Sequence, residues 1–198
     1  SSDLDLTSFY QLIRWTEAAQ SFVNNGDAEP FSKLANSEIG VVFKKNRGKD
    51  GRAKKDVASS IGKISKEIDK FSKRLLTNRG YEIITYDYER LNRDIDNLLN
   101  EDVFIKPLVP LIALMKDKIS GFANEDVKNG FKAVDWCVSH GLYQQAVTML
   151  QENTITFLLE NEGLDWGVQD NRTVVNSAIA LVTNKDEEYR GKPELKEL

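Results

Sequence analysis

The stretch VASSIGKISKEIDKFSKRL, Val57 to Leu75, decides the fold. Its apolar side chains at Val57, Ile61, Ile64, Ile68, Phe71 and Leu75 recur at intervals of four and three, the period of a long amphipathic helix. Polar residues fill the other faces, so the stripe needs a cover. Downstream, Ile84, Tyr88, Leu91, Ile95 and Leu98 repeat the same spacing, and Asn78 to Gly80 supplies a turn between the two runs. We therefore expect an antiparallel helical hairpin whose stripes cover one another inside one chain, rather than a zipper between chains.

Helical spacing continues in both directions. Thr7 can cap a helix through Phe9, Leu12, Ile13, Ala19, Phe22 and Val23 that ends at Gly26, and Asp27 opens a shorter one through Phe31 and Leu34. Beyond the hairpin, Asp102 starts a segment in which Pro107 and Pro110 are tolerable only near a helix beginning, followed by Leu111, Leu114, Met115 and Ile119. Helices are expected at about 125–139, 142–162 and 171–183, with Asn171 as an N-cap and Gly163 as a stop. From Asp186 the sequence DEEYRGKPELKEL is highly charged. Neither a fixed-period repeat nor a low-complexity linker divides the chain. The expectation is one all-α domain over residues 1–198, a helical bundle carrying a long helical hairpin.

Composition excludes several classes of function. Forty per cent hydrophobic and 29% charged residues is ordinary composition for a water-exposed domain. No apolar run reaches the roughly 18 residues of a membrane span, and no signal-peptide pattern is present. Cys137 is the single cysteine and His140 the single histidine, so no metal-ligand spacing exists and we expect no metal and no cofactor. A lone thiol suits the reducing cytoplasm. Charge is strongly polarised: Lys44 to Arg79 carries 13 Lys and Arg against 4 Asp and Glu, in a chain whose net charge is −4. Its densest part, KKNRGKDGRAKK, offers Lys44, Lys45, Arg47, Lys49, Arg52, Lys54 and Lys55 to phosphates, and reads equally as a solvated loop. It holds no aromatic residue on which bases could stack.

A second stretch, WCVSHGLYQQAVTMLQE (Trp136 to Glu152), joins the end of one helix to the start of the next. Phe131, Val134 and Val138 mark the first helix, His140-Gly141 stops it, and Ala146, Met149 and Leu150 restart the period. Any histidine-dependent chemistry must run through His140, although an imidazole at a helix C-terminus is also a cap. Glu152 and Glu160 stand eight residues apart, too far for an acid/base pair. Gly-rich phosphate loops are absent, and Trp15, Trp136 and Trp166 read as core or interface anchors.

This stretch, together with DLTSFYQLIRWTEAAQSFVNNGDAEPFSKLA (Asp5 to Ala35), resembles the helical half of the DxTHG-motif group of CRISPR-associated proteins, ancillary effectors of type III systems. Matching positions are Trp136, Gly141, Gln145, Ala146 and Glu152. The resemblance covers about a third of the chain. It implies a HEPN-like helical domain that degrades RNA without metal in antiviral defence, pairs as a homodimer around a composite site, and is joined to a CARF domain that senses cyclic oligoadenylate. The chain begins with serine, and we expect it to be a fragment or processed chain without that sensor.

One departure matters. The resembled ribonucleases use Arg, four to six residues, then His: arginine stabilises the phosphorane charge while histidine moves protons. Ala133, Val134 and Asp135 occupy the places upstream of His140 where arginine is required, and neither Arg172 nor Arg190 is followed by histidine. The resemblance sets that pair after the Gln-Ala-containing helix, toward the C-terminus. Two expectations therefore stand side by side: an effector domain associated with RNA cleavage, and a non-catalytic helical module that dimerises or binds a partner.

Overall fold

The computed structural model describes residues 7–45, 52–101 and 108–183. Nine α-helices and no strand occur among them. They are α1 (Thr7–Asn25), α2 (Glu29–Lys45), α3 (Arg52–Leu76), α4 (Gly80–Ile84), α5 (Tyr88–Leu99), α6 (Leu108–Ile119), α7 (Lys128–Ser139), α8 (Tyr143–Asn161) and α9 (Gln169–Thr183). The all-α class is as the spacing predicts.

The Val57 to Leu75 stripe is buried: Ile61, Ile64, Ile68, Phe71 and Leu75 lose nearly all contact with solvent. Its cover is wider than the expected hairpin. Helix α2 lies along α3 as well as α5 does, running antiparallel, because the Ala28 N–H donates to Ser72 Oγ at 3.2 Å near one end and Gly62 backs onto the Ile39 side chain near the other. Ser72 in turn donates to the Gly26 carbonyl. A single hydroxyl thus ties the α1–α2 corner to α3.

The turn between the hairpin arms also differs. Helix α3 stops at Leu76, and Asn78 adopts φ 57°, the left-handed conformation that asparagine tolerates better than most residues. Arg79 N–H then bonds the Arg74 carbonyl at 2.9 Å, and Gly80 opens the short helix α4 instead of closing α3. Helix α5 accordingly starts at Tyr88, with Asp87 accepting the Arg90 N–H at 3.0 Å as its N-cap. The bend lets α4 reach α7 and α8. It is the step that shapes the cleft described below.

Phe71 sits at the centre of the core. Its ring makes edge contacts with Phe122, Trp136 and Tyr88 at centroid separations of 5.1, 5.4 and 6.2 Å, and Trp136 continues to Phe22 at 5.3 Å. Such pairs add about 0.5–1.5 kcal/mol each beyond area burial. Helices α7 and α8 form a tight pair, while α9 touches α8 and buries no residue fully.

Two expectations need correction. Helix α2 extends to Lys45 and α3 starts at Arg52, so the flanks of the basic run are helical rather than loop; Arg47 and Lys49 lie outside the described residues. Asn171 is not an N-cap, since α9 begins two residues earlier and the Asn171 side chain donates to the Asp165 carbonyl at 2.9 Å. The charged stretch from Asp186 also lies outside the described residues.

Candidate functional site

The α7–α8 junction is built from backbone geometry first. Leu142 N–H bonds the Cys137 carbonyl at 2.8 Å and Gly141 N–H the Val138 carbonyl at 3.1 Å, the paired bonds of a Schellman ending. Gly141 supplies the φ of +72° this requires, which a side chain would strain.

His140 is the C-cap residue, and its ring lies flat on Trp136, with centroids 4.5 Å apart and planes 20° from parallel. Nδ1 is 2.7 Å from the Trp136 carbonyl, and Nε2 is 3.1 Å from the Val23 carbonyl on α1. Both nitrogens therefore face backbone acceptors. A ring held this way is a strut between α7 and α1, with neither nitrogen turned toward a cleft. Sequence reasoning offers His140 as a weak catalytic candidate; in the fold its two ring nitrogens lie against the Trp136 and Val23 carbonyls.

The other matching positions separate by role. Trp136 and Ala146 are core, Gly141 closes the helix, and Gln145 is half-buried on α8. Glu152 alone faces a cavity, together with a residue that the sequence pattern had left aside. Arg172 Nη2 reaches Glu152 Oε2 at 2.5 Å and the Glu152 carbonyl at 3.3 Å, while Nη1 donates to Thr156 Oγ1 at 2.8 Å and the Trp166 carbonyl at 3.2 Å. This fork fixes α9 and the α8–α9 connection on α8.

Around the pair opens a cleft of about 450 Å³, bounded by the Asn78–Glu82 segment on one side and by α8 and the Trp166–Gly167 turn on the other. The volume lies within the range of small-molecule sites, about 300–1,000 Å³. Tyr81 and Trp166 meet at its mouth with ring centroids 5.2 Å apart. Glu82 accepts from Arg79 at 2.7 Å and from Arg74 Nε at 3.3 Å. A second cavity of about 650 Å³ lies between α8 and α9 on the other side of the Glu152–Arg172 pair, bordered by Leu150, Ile155 and Ile179.

Charges in the first cleft balance, two arginines against two glutamates. Thr148 and Thr156 hydroxyls bond helix carbonyls one turn back. Neither histidine nor cysteine lines this cleft. Among the described residues no group of three or more His, Cys, Asp or Glu is set to hold a metal ion, and no helix is long and apolar enough to cross a membrane.

The basic residues that are described stand at one end of the α2–α3 pair. Lys44 and Lys45 close α2, and Arg52, Lys54 and Lys55 open α3, which the antiparallel packing brings to the same end of the body. The cleft lies elsewhere, against α4 and α8.

Asn153 and Tyr81 were not singled out by sequence. Asn153 had a legible signal: it occupies a position in the Ala146, Met149, Asn153, Thr156 spacing where the helix calls for an apolar residue. Tyr81 had none, because α4 is too short to show a period. Comparison with protein-family models, with curated proteins and with solved structures gives no match to this chain.

Proposed function

We propose that this chain is the helical effector part of a type III CRISPR ancillary protein, working in cyclic-oligoadenylate-activated RNA cleavage. One observation carries the reading: the two resembled stretches, more than a hundred residues apart, pack on one another through Phe22 against Trp136 and the Val23 carbonyl against His140. The resemblance therefore runs over one three-dimensional unit rather than over two unconnected fragments. On this reading the protein is cytoplasmic, has a CARF sensor as partner, and holds RNA through Lys44, Lys45, Arg47, Lys49, Arg52, Lys54 and Lys55. His140 stays a strut. We expect the chain by itself to cut RNA barely or not at all, because the Arg-His pair of the resembled nucleases has no counterpart in its sequence.

Anisotropy of a fluorescent single-stranded RNA tests the reading. Binding should weaken steeply with salt and fall when Lys44, Lys54 and Lys55 are replaced by glutamate, as counterion release requires. No binding at low salt, or binding indifferent to those replacements, sinks it. Metal-independent cutting abolished by His140→Ala in a folded protein would instead make His140 catalytic.

A second reading, a non-catalytic module that forms a homodimer, is favoured by a different observation. The Val57 to Leu75 stripe is already covered within the chain, whereas Val138, Tyr143, Val147 and Leu150 are exposed around the α7–α8 junction. Light scattering at micromolar concentration should give about twice the 22.4 kDa chain mass, reverting to one mass in Tyr143→Asp. A single mass throughout removes this reading.

A further inference from the structure

The cleft beside Glu152 and Arg172 carries more buried polarity than its own walls satisfy. Asn153 is 2% exposed, lines the cleft floor from α8, and its Nδ2 has no hydrogen-bond partner. Asn78 lines the same cleft from the turn before α4, and its Oδ1 is likewise buried without a partner. An unmet buried donor or acceptor costs about 1–3 kcal/mol, so two in one small cavity call for an explanation. At the mouth stand two aromatic rings, Tyr81 and Trp166, and Tyr81 is 63% exposed. Arg79 and Arg172 are both held in ion pairs, which leaves the cleft without a net charge for an isolated anion.

An exposed aromatic face, an amide acceptor, an amide donor and electrical neutrality together describe one ligand chemistry. We propose that this cleft binds a single nucleobase. Its face would stack on the Tyr81–Trp166 pair, and an edge carrying a donor beside an acceptor would meet Asn78 Oδ1 and Asn153 Nδ2, as unstacked bases are read in single-stranded RNA. Every base carries such an edge, and Arg79 at the rim can accompany an attached phosphate without anchoring it. The base can come from a free nucleotide or from an RNA strand. The proposal rests on the effector reading only for the second source.

Tryptophan emission supplies the test, because Trp15 and Trp136 are buried and Trp166 borders the cleft. The chain is titrated with UMP, CMP, AMP and GMP, and with ribose 5-phosphate as a ligand lacking the base; calorimetry supplies the affinities. Saturable binding of at least one nucleotide and none of ribose 5-phosphate is expected. Tyr81→Ala should weaken binding by about fivefold to a hundredfold through lost stacking. Asn78→Gly, which suits the left-handed backbone while deleting the amide, should weaken it by about two- to tenfold. Both variants must keep the helical circular dichroism of the parent. No saturable binding, an equal response to ribose 5-phosphate, or parental affinity in both folded variants overturns the proposal. A short oligoribonucleotide that displaces the nucleotide identifies a strand as the source; failure to displace identifies a free nucleotide. Nucleotide binding that persists when RNA anisotropy shows no binding leaves the cleft standing and removes the effector reading alone.

Discussion

Asn153 rests directly on Gly130, so that a Cβ placed on the glycine would fall inside the amide of the asparagine. Helices α7 and α8 approach this closely because the glycine has no side chain. The contact also holds in place the amide that floors the cleft.

Gly130→Ala should therefore force the two helices apart. Stability falls by about 1–3 kcal/mol as the helices are pushed apart, although alanine is the better helix former. Urea denaturation reads the loss. An unchanged midpoint means that Asn153 swings aside at no cost and that the packing is looser than described.

Replacing His140 by alanine removes the strut between α7 and the end of α1. A loss of about 1–3 kcal/mol is expected, since the Val23 carbonyl and Trp136 lose their partner together. Any RNA binding should stay as in the parent. A variant as stable as the parent overturns the structural role.

Arg172 is what fastens α9, which buries no residue fully. Arg172→Ala should abolish hydrogen-exchange protection in α9 while leaving α3 and α7 protected at parental rates, a local opening rather than global unfolding. Arg172→Lys should restore little, because an ammonium cannot span Glu152, Thr156 and the Trp166 carbonyl as the planar fork does. Protection in α9 equal to the parent's would show another anchor.

Acid should weaken the α3–α5 region through Glu67. Partial burial raises its carboxyl pKa, but hydrogen bonds from Lys70 at 2.7 Å and Tyr86 at 2.8 Å, with the nearby Arg74, outweigh that and bring it below the usual 4.5. A carboxylate with a depressed folded pKa stabilises the fold above its unfolded value, and the contribution disappears as pH falls through the lower, folded one. Stability measured by denaturant should drop below pH 4.5, and the drop should be shallower in Glu67→Gln. Parallel curves for parent and variant refute the assignment.

Burial pushes the Cys137 thiol up to about 11, and no part of the residue is exposed. Iodoacetamide at pH 8 should leave the native protein unmodified and label it fully in denaturant, because the thiolate is the nucleophile. Rapid labelling without denaturant would mean that α7 opens.

The long stripes were legible because six apolar residues at Val57 to Leu75, and five at Ile84 to Leu98, sum to a period that no local exception can hide. What escaped depends on single residues and on tertiary company. The turn at Asn78 to Gly80 was legible, but not that Gly80 would open a separate short helix, α4, after it. Lys44 and Arg52 read as loop because charge alone carries no period, yet α2 and α3 extend through them. The cleft was the least visible feature. Its walls come from residues near 80, 153 and 166–172, and only Asn153, polar where the helix wants an apolar side chain, announces it in advance.

The tie between the Val23 carbonyl and His140 spans 117 residues. A ribosome adding about 5–20 residues per second needs on the order of ten seconds to deliver the second partner after the first. Through that interval α1 has been made, but Phe22 lacks the Trp136 ring it will lie against. Helix α1, made well before α7, is thus locked late, and a nascent chain halted before residue 136 presents an aromatic surface to whatever chaperone or neighbouring chain is at hand.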